Sequence, residues 1–116
     1  MKELLLNVRE VLGSPSALSR EQGEQIYNKI FPVLIEGGNV TLDFGEIESV
    51  ITPFLNVAIG KLYSDLSSEQ LNNQLHIINP PDSLYSKVNI VAENAKRFYG
   101  NQEYFTRTVK ENLGII

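Results

Sequence analysis

A threonine hydroxyl at position 52 stands directly before Pro53, where a run of strand-forming residues gives way to a helical pattern. A hydroxyl in that place has two uses. Its oxygen can cap the helix by accepting a backbone N–H, with Pro favoured in the first turn, or it can accept a phosphoryl group. A phosphate there would add a charge of about −1.5 to −2 at the positive end of the helix dipole. It would also face Glu46 and Glu48 in the preceding loop, and that repulsion would change how the corner meets a partner. Thr52 is therefore the candidate phosphoacceptor, and a capping residue on the plainer reading.

A second group is Asp43 with Glu46, Glu48 and the sole histidine, His76. Ligands of open α/β sheets gather at the carboxyl ends of strands, so Asp43, Glu46 and His76 could serve a small enzyme, or a ligand- or metal-binding domain. The carboxylates form one local cluster, without the fixed ligand positions of a calcium loop. His76 has no Cys, Ser or Asp around it in a recognisable catalytic arrangement. The plainer reading has Asp43 bonding amides of its own loop and His76 as a structural, partly buried residue. On that reading we expect no catalytic residue, no metal and no cofactor. Gly37-Gly38 follows a helix rather than a strand, the wrong context for a phosphate loop. Ser19-Arg20 could meet an anion at a helix start, but a capping box already accounts for Ser19 and leaves Arg20 as a surface contact.

The elements that must position these residues follow from spacing. Leu4, Leu6 and Val8 alternate as in a strand, although Glu3 to Leu12 also fits a helix, and Gly13-Ser14-Pro15-Ser16 breaks the chain. Ser19 and Gln22 have capping-box spacing and open a helix with Ile26, Ile30 and Leu34 on one face, widened by Tyr27 and Phe31. Pro32 predicts a kink or an early end, and Gly37-Gly38 a stop. Val40, Leu42 and Phe44 alternate as a second strand, which Gly45 ends. A helix from Pro53 to about Leu66 carries Leu55, Ala58, Ile59, Leu62 and Leu66, with Gly60 marking a close approach to a neighbouring element. Ser67 to Asn73 is a polar connection with room for one helical turn. Leu75 to Ile78 is a third strand, closed by Asn79-Pro80-Pro81. Asp82 or Ser83 caps a helix striped by Leu84, Val88, Val91, Ala95 and Phe98, which Gly100 ends. Gln102 to Leu113 forms a weaker last helix. Phe98 is expected in the core, whereas Tyr99, Tyr104 and Phe105 are either core or a patch for dimerisation or a partner.

Strands alternating with helices imply crossover connections and a single α/β domain, with a small, mixed or mostly parallel sheet of three to four strands packed by helices. The chain has 116 residues, enough for one hydrophobic core. It has no cysteine, which excludes disulfides and thiolate metal sites. The apolar run Leu4-Leu5-Leu6 is too short for a signal-peptide core, and no stretch approaches the ~20 apolar residues of a membrane span. The net charge of −4 and the scattered Lys and Arg argue against nucleic acid. A cytoplasmic protein without membrane or nucleic-acid partners is expected.

Three motifs, in order, carry a family resemblance: Ser19-Arg20 with Gly23, Leu42-Asp43-Phe44, and Thr52-Pro53-Phe54-Leu55. Together they resemble the STAS-like domains, relatives of the STAS fold of anti-sigma-factor antagonists and of the cytoplasmic ends of sulfate transporters. The resemblance covers Glu3 to Gly100, so residues 1–100 are expected to form the STAS-like domain and 101–116 a C-terminal helical extension of it. In anti-sigma-factor antagonists a Ser opening the second helix, usually preceded by Asp, is phosphorylated by a partner kinase, which breaks the partner complex. Thr52 falls at that acceptor, Ile51 falls where the Asp would be, and Pro53 stands where many STAS-like domains carry Ser. The resemblance implies a non-catalytic regulatory module and a protein partner with a histidine-kinase-like ATPase fold. Glu46, Glu48, Ser49, Thr52, Pro53 and Asn56 would form the partner surface. The oligomeric state stays open, a homo-oligomer included.

Overall fold

Alternation of apolar and polar residues builds a parallel three-stranded sheet. The computed structural model describes residues 2–112, and the side chains of residues 2–99. Strands β1 (Glu3–Asn7), β3 (Asn39–Asp43) and β5 (Leu75–Ile78) lie in the order β1-β3-β5, with β3 central. Leu6, Leu42 and Ile77 share one register row, and Leu4, Val40 and Leu75 another. Both rows point to the helical layer, where Leu6, Val40 and Leu42 are buried. Leu5, Thr41 and His76 share the row between them and point the other way. On that side Leu5 and His76 are exposed. The α/β class and the mostly parallel sheet thus stand as expected.

The opening segment satisfies both readings of its sequence. It is strand to Asn7 and then turns into α1 (Val8–Leu12), because the Asn7 side chain accepts from the Glu10 N–H at 2.9 Å. Two further strands of two residues each, β2 (Ser16–Ala17) and β4 (Ser49–Val50), pair in parallel as a separate ribbon that the sequence did not announce.

Helix α2 (Arg20–Ile35) starts at the capping box: Ser19 Oγ accepts from Gln22 N–H at 3.1 Å, and Gln22 Oε1 accepts from Ser19 N–H at 3.0 Å. Of the kink or early end expected at Pro32, the early end does not occur: the helix continues through Pro32 to Ile35. Asn28, whose carbonyl loses its partner to Pro32, is exposed, so water can take the place of the missing N–H. Past the C-cap, Gly37 at φ 89° lets Gly37 and Gly38 donate back to Leu34 and Val33, closing the helix as the glycine pair predicts.

The segment read as one helix from Pro53 to Leu66 is two pieces, α3 (Thr52–Ala58) and a 3-10 turn over Gly60–Ser64. Gly60 does lie against a neighbour, since a Cβ there would sit 3.4 Å from Val91 Cγ1. The polar connection holds nearly two turns of helix, α4 (Ser68–Gln74), opened by a second capping box from Ser67 and Gln70. Gln74 Nε2 then donates to the carbonyls of Leu34 and Gly38, at 3.1 and 2.7 Å, tying α4 to the end of α2. The last helix, α5, spans Leu84–Asn112 without a break at Gly100, so the two expected C-terminal helices are one. A single glycine costs about 1 kcal/mol in a helix, less than stopping and restarting one. Phe98 corrects another expectation: it is 60% exposed, not core. The side chains of Tyr104 and Phe105 lie outside the described residues.

Candidate functional site

The corner between β3 and α3 is built by alternating anchors. Phe44, Ile47 and Val50 are buried, while Glu46, Glu48, Ser49, Ile51 and Thr52 are exposed. Ile47 N–H donates to the Phe44 carbonyl at 3.0 Å and closes a tight turn. Within that turn Glu46 takes φ 66°, a left-handed conformation that is unfavourable for a residue with a Cβ. Glu48 N–H and Ile51 N–H donate to the carbonyls of Pro15 and Ala17, at 2.7 and 3.1 Å, strapping the loop to β2.

Asp43 does what its plainer reading predicts. Its Oδ1 accepts from Gly45 N–H at 2.8 Å and from Asn79 Nδ2 at 3.1 Å. The Gly45 N–H, and after it the Asn79 amide, hold the Asp43 carboxyl below its ordinary value, against a smaller opposing effect of desolvation. His76 lies on β5 beside Thr41, exposed on the open face of the sheet rather than partly buried. Among the described residues no group of three His, Asp or Glu side chains is disposed to hold a metal ion. The geometry therefore does not gather Asp43, Glu46 and His76 into a ligand set.

Thr52 departs from its expected capping role. The N-cap is Ile51, extended at φ −116° and ψ 161°, and no side chain caps the helix. The Leu55 N–H reaches the Ile51 carbonyl at 3.4 Å, which makes Thr52 the first helical residue and places Pro53 second. The Thr52 hydroxyl is exposed and makes no hydrogen bond among the described residues. Asn56, one turn further on α3, is also exposed and borders a depression of about 190 Å3 with Gly60, Val91, Asn94, Ala95 and Phe98. The expected surface thus continues from the acidic loop along the seam between α3 and α5. Its far rim is the exposed Phe98 ring, packed edge-on against Tyr99 with centroids 4.9 Å apart.

Sequence reasoning missed Lys87. From α5 its Nζ donates to the Val50 carbonyl at 2.7 Å, two residues before Thr52. No pattern announces such a bond, because one partner is a backbone carbonyl distant in sequence. Lys87 also lies on the stripe that includes Leu84 and Val91, whose side chains are buried.

Among the described residues, no helix is long and apolar enough to cross a membrane. Comparison with curated proteins and with solved structures gave no match. A family model described as "STAS-like domain of unknown function (DUF4325)" matches residues 22–84, from the first turn of α2 to the first residue of α5. The match takes in Gly23, the Leu42-Asp43-Phe44 strand end and the Thr52-Pro53 helix start. It covers more than half of the chain, which therefore belongs to the family of STAS-like domains.

Proposed function

We propose that this chain is a non-catalytic regulatory module that binds a protein partner through the β3–α3 corner and is switched by phosphorylation of Thr52. One observation carries the reading. The Thr52 hydroxyl is exposed at the first position of α3 without capping it, so among the described residues it has no internal bond to lose. A phosphate of charge about −1.5 to −2 at that point would repel a partner already matched to the neighbouring acidic residues Glu46 and Glu48. It would also offer Lys87 a stronger acceptor than the Val50 carbonyl, loosening the junction on which the partner surface depends. Resemblance to anti-sigma-factor antagonists supports a histidine-kinase-like ATPase as the partner, with cytoplasmic residence. The exposed Phe98 ring supplies an apolar anchor beside Asn56.

Phosphosite mapping by mass spectrometry of the protein isolated from its native cells tests the switch. Phosphothreonine at position 52 is the expected result. Stoichiometric absence across growth conditions, with phosphorylation of other residues detected, would contradict it.

A further inference from the structure

Both outer strands of the sheet have an edge that no other strand pairs with among the described residues. The two edges are treated differently. Phe44 N–H donates to the Ile78 carbonyl, so alternation along β5 turns the Ile77 groups outward. There the Tyr85 hydroxyl of α5 covers the Ile77 carbonyl at 3.2 Å, and Pro80-Pro81 follow directly. This edge is closed in the way proteins commonly protect strand edges.

The β1 edge is not. Asn39 N–H donates to the Lys2 carbonyl at 2.9 Å, so the groups of Lys2, Leu4 and Leu6 face β3 while those of Glu3 and Leu5, with the Asn7 N–H, face outward. Every residue from Lys2 to Asn7 borders a groove of about 480 Å3, walled on the helical side by Val11 of α1 and by Lys29 and Val33 of α2. A run of consecutive strand residues can border one groove only along a strand's edge, because successive side chains leave on opposite faces. Leu5 stands at this edge 69% exposed, more than any other large apolar side chain among the described residues.

We infer that the β1 edge is a homodimer interface, in which β1 of a second copy adds antiparallel and joins two three-stranded sheets into one. A two-fold interface presents the same patch to itself and must be self-complementary. The groove is charge-balanced, as such a patch requires, with two basic residues, Lys2 and Lys29, and two acidic ones, Glu3 and Glu10. With the axis at Leu5, the centre of β1, Glu3 faces Asn7 of the other copy and Leu4 faces Leu6. Leu5 faces Leu5, the two residues exchange both backbone hydrogen bonds, and their side chains cover each other on the open face. Lys2 then approaches the start of α1 in the second copy, where Glu10 stands. Centring the axis on Glu3 instead would set like charges directly opposite, which is destabilising.

The test uses the full chain, which contains no cysteine. Sedimentation at about 100 µM, a concentration that populates even a micromolar dimer, is expected to give twice the 13.0 kDa chain mass. Leu5→Pro removes only an outward-facing N–H and is expected to give the single-chain mass with an unchanged circular dichroism spectrum. Paired strand residues of this kind lie about 5.5 Å apart between Cα atoms, within disulfide reach. Leu5→Cys is therefore expected to crosslink on mild oxidation, and Glu3→Cys is not. A monomeric wild type overturns the proposal and leaves the edge to a strand of a different protein. A dimer that survives Leu5→Pro, or a crosslink through Glu3→Cys but not Leu5→Cys, overturns it as well.

Discussion

The Lys87 ammonium on α5 donates to the Val50 carbonyl at 2.7 Å, so the C-terminal helix grips the chain where β4 ends and α3 is about to begin. Val50 is itself buried, and the exposed Ile51 and Thr52 follow it directly. The long helix therefore sets the position of the corner as well as covering the core.

Replacing Lys87 by Met keeps much of its aliphatic packing and removes the donor. A hydrogen bond from a charged group contributes about 1.5–3 kcal/mol, and partial hydration of this one places the loss at about 1–2 kcal/mol. The expected signature is local: faster amide hydrogen exchange from Ile51 to Leu55, with the β-sheet amides unchanged. Unchanged exchange in α3 would show that Lys87 does not hold the corner.

Gly23 supports the same corner from the other side. A Cβ added there would lie 2.6 Å from the Phe54 carbonyl oxygen and 2.9 Å from Val57 Cβ. The first of these is backbone and cannot step aside, so α2 and α3 would have to separate. Gly23→Ala is expected to cost about 2–3 kcal/mol despite alanine's better helix propensity, within the usual range for overpacking. Urea denaturation checks this; a stabilised variant would mean that the two helices do not approach so closely.

Much of this arrangement was legible in the sequence. The Ser19–Gln22 box, the alternation of Val40 and Leu42, and the stop at Gly37-Gly38 are local signals with local causes. What escaped depended on distant partners. Two residues cannot show periodicity, so β2 and β4 appear only once they pair. The stripe through Val91 and Ala95 continues to Phe98, but Phe98 remains exposed beside the shallow depression bordered by Asn56 and Gly60. Of the two uses that the Thr-Pro helix start offers the Thr52 hydroxyl, capping is not realised, because the Ile51 carbonyl takes the first helical bond one residue earlier. At the site, the exposed acidic loop and the role of Asp43 were readable, whereas Lys87 was not.

Asp43 makes acid stability a readout of the turn before the corner. Its carboxyl, held low by Gly45 and then Asn79, contributes stability that is fully present above its ordinary value of 3.8 and is lost as pH falls through the lower folded value. In urea titrations wild type is expected to exceed Asp43→Asn at pH 6. The difference should narrow as pH is lowered below 3.8. A difference independent of pH would show that the charge of Asp43 is not what Gly45 and Asn79 stabilise.

The regulatory account stands on Thr52, and partner binding by three forms of the chain tests it most directly. Titration calorimetry of the candidate histidine-kinase-like ATPase against wild type, Thr52→Ala and Thr52→Glu separates the hydroxyl from the charge. Wild type and Thr52→Ala are expected to bind alike, and Thr52→Glu at least ten-fold more weakly, a loss of about 1.4 kcal/mol or more. Equal affinity for all three would contradict the account.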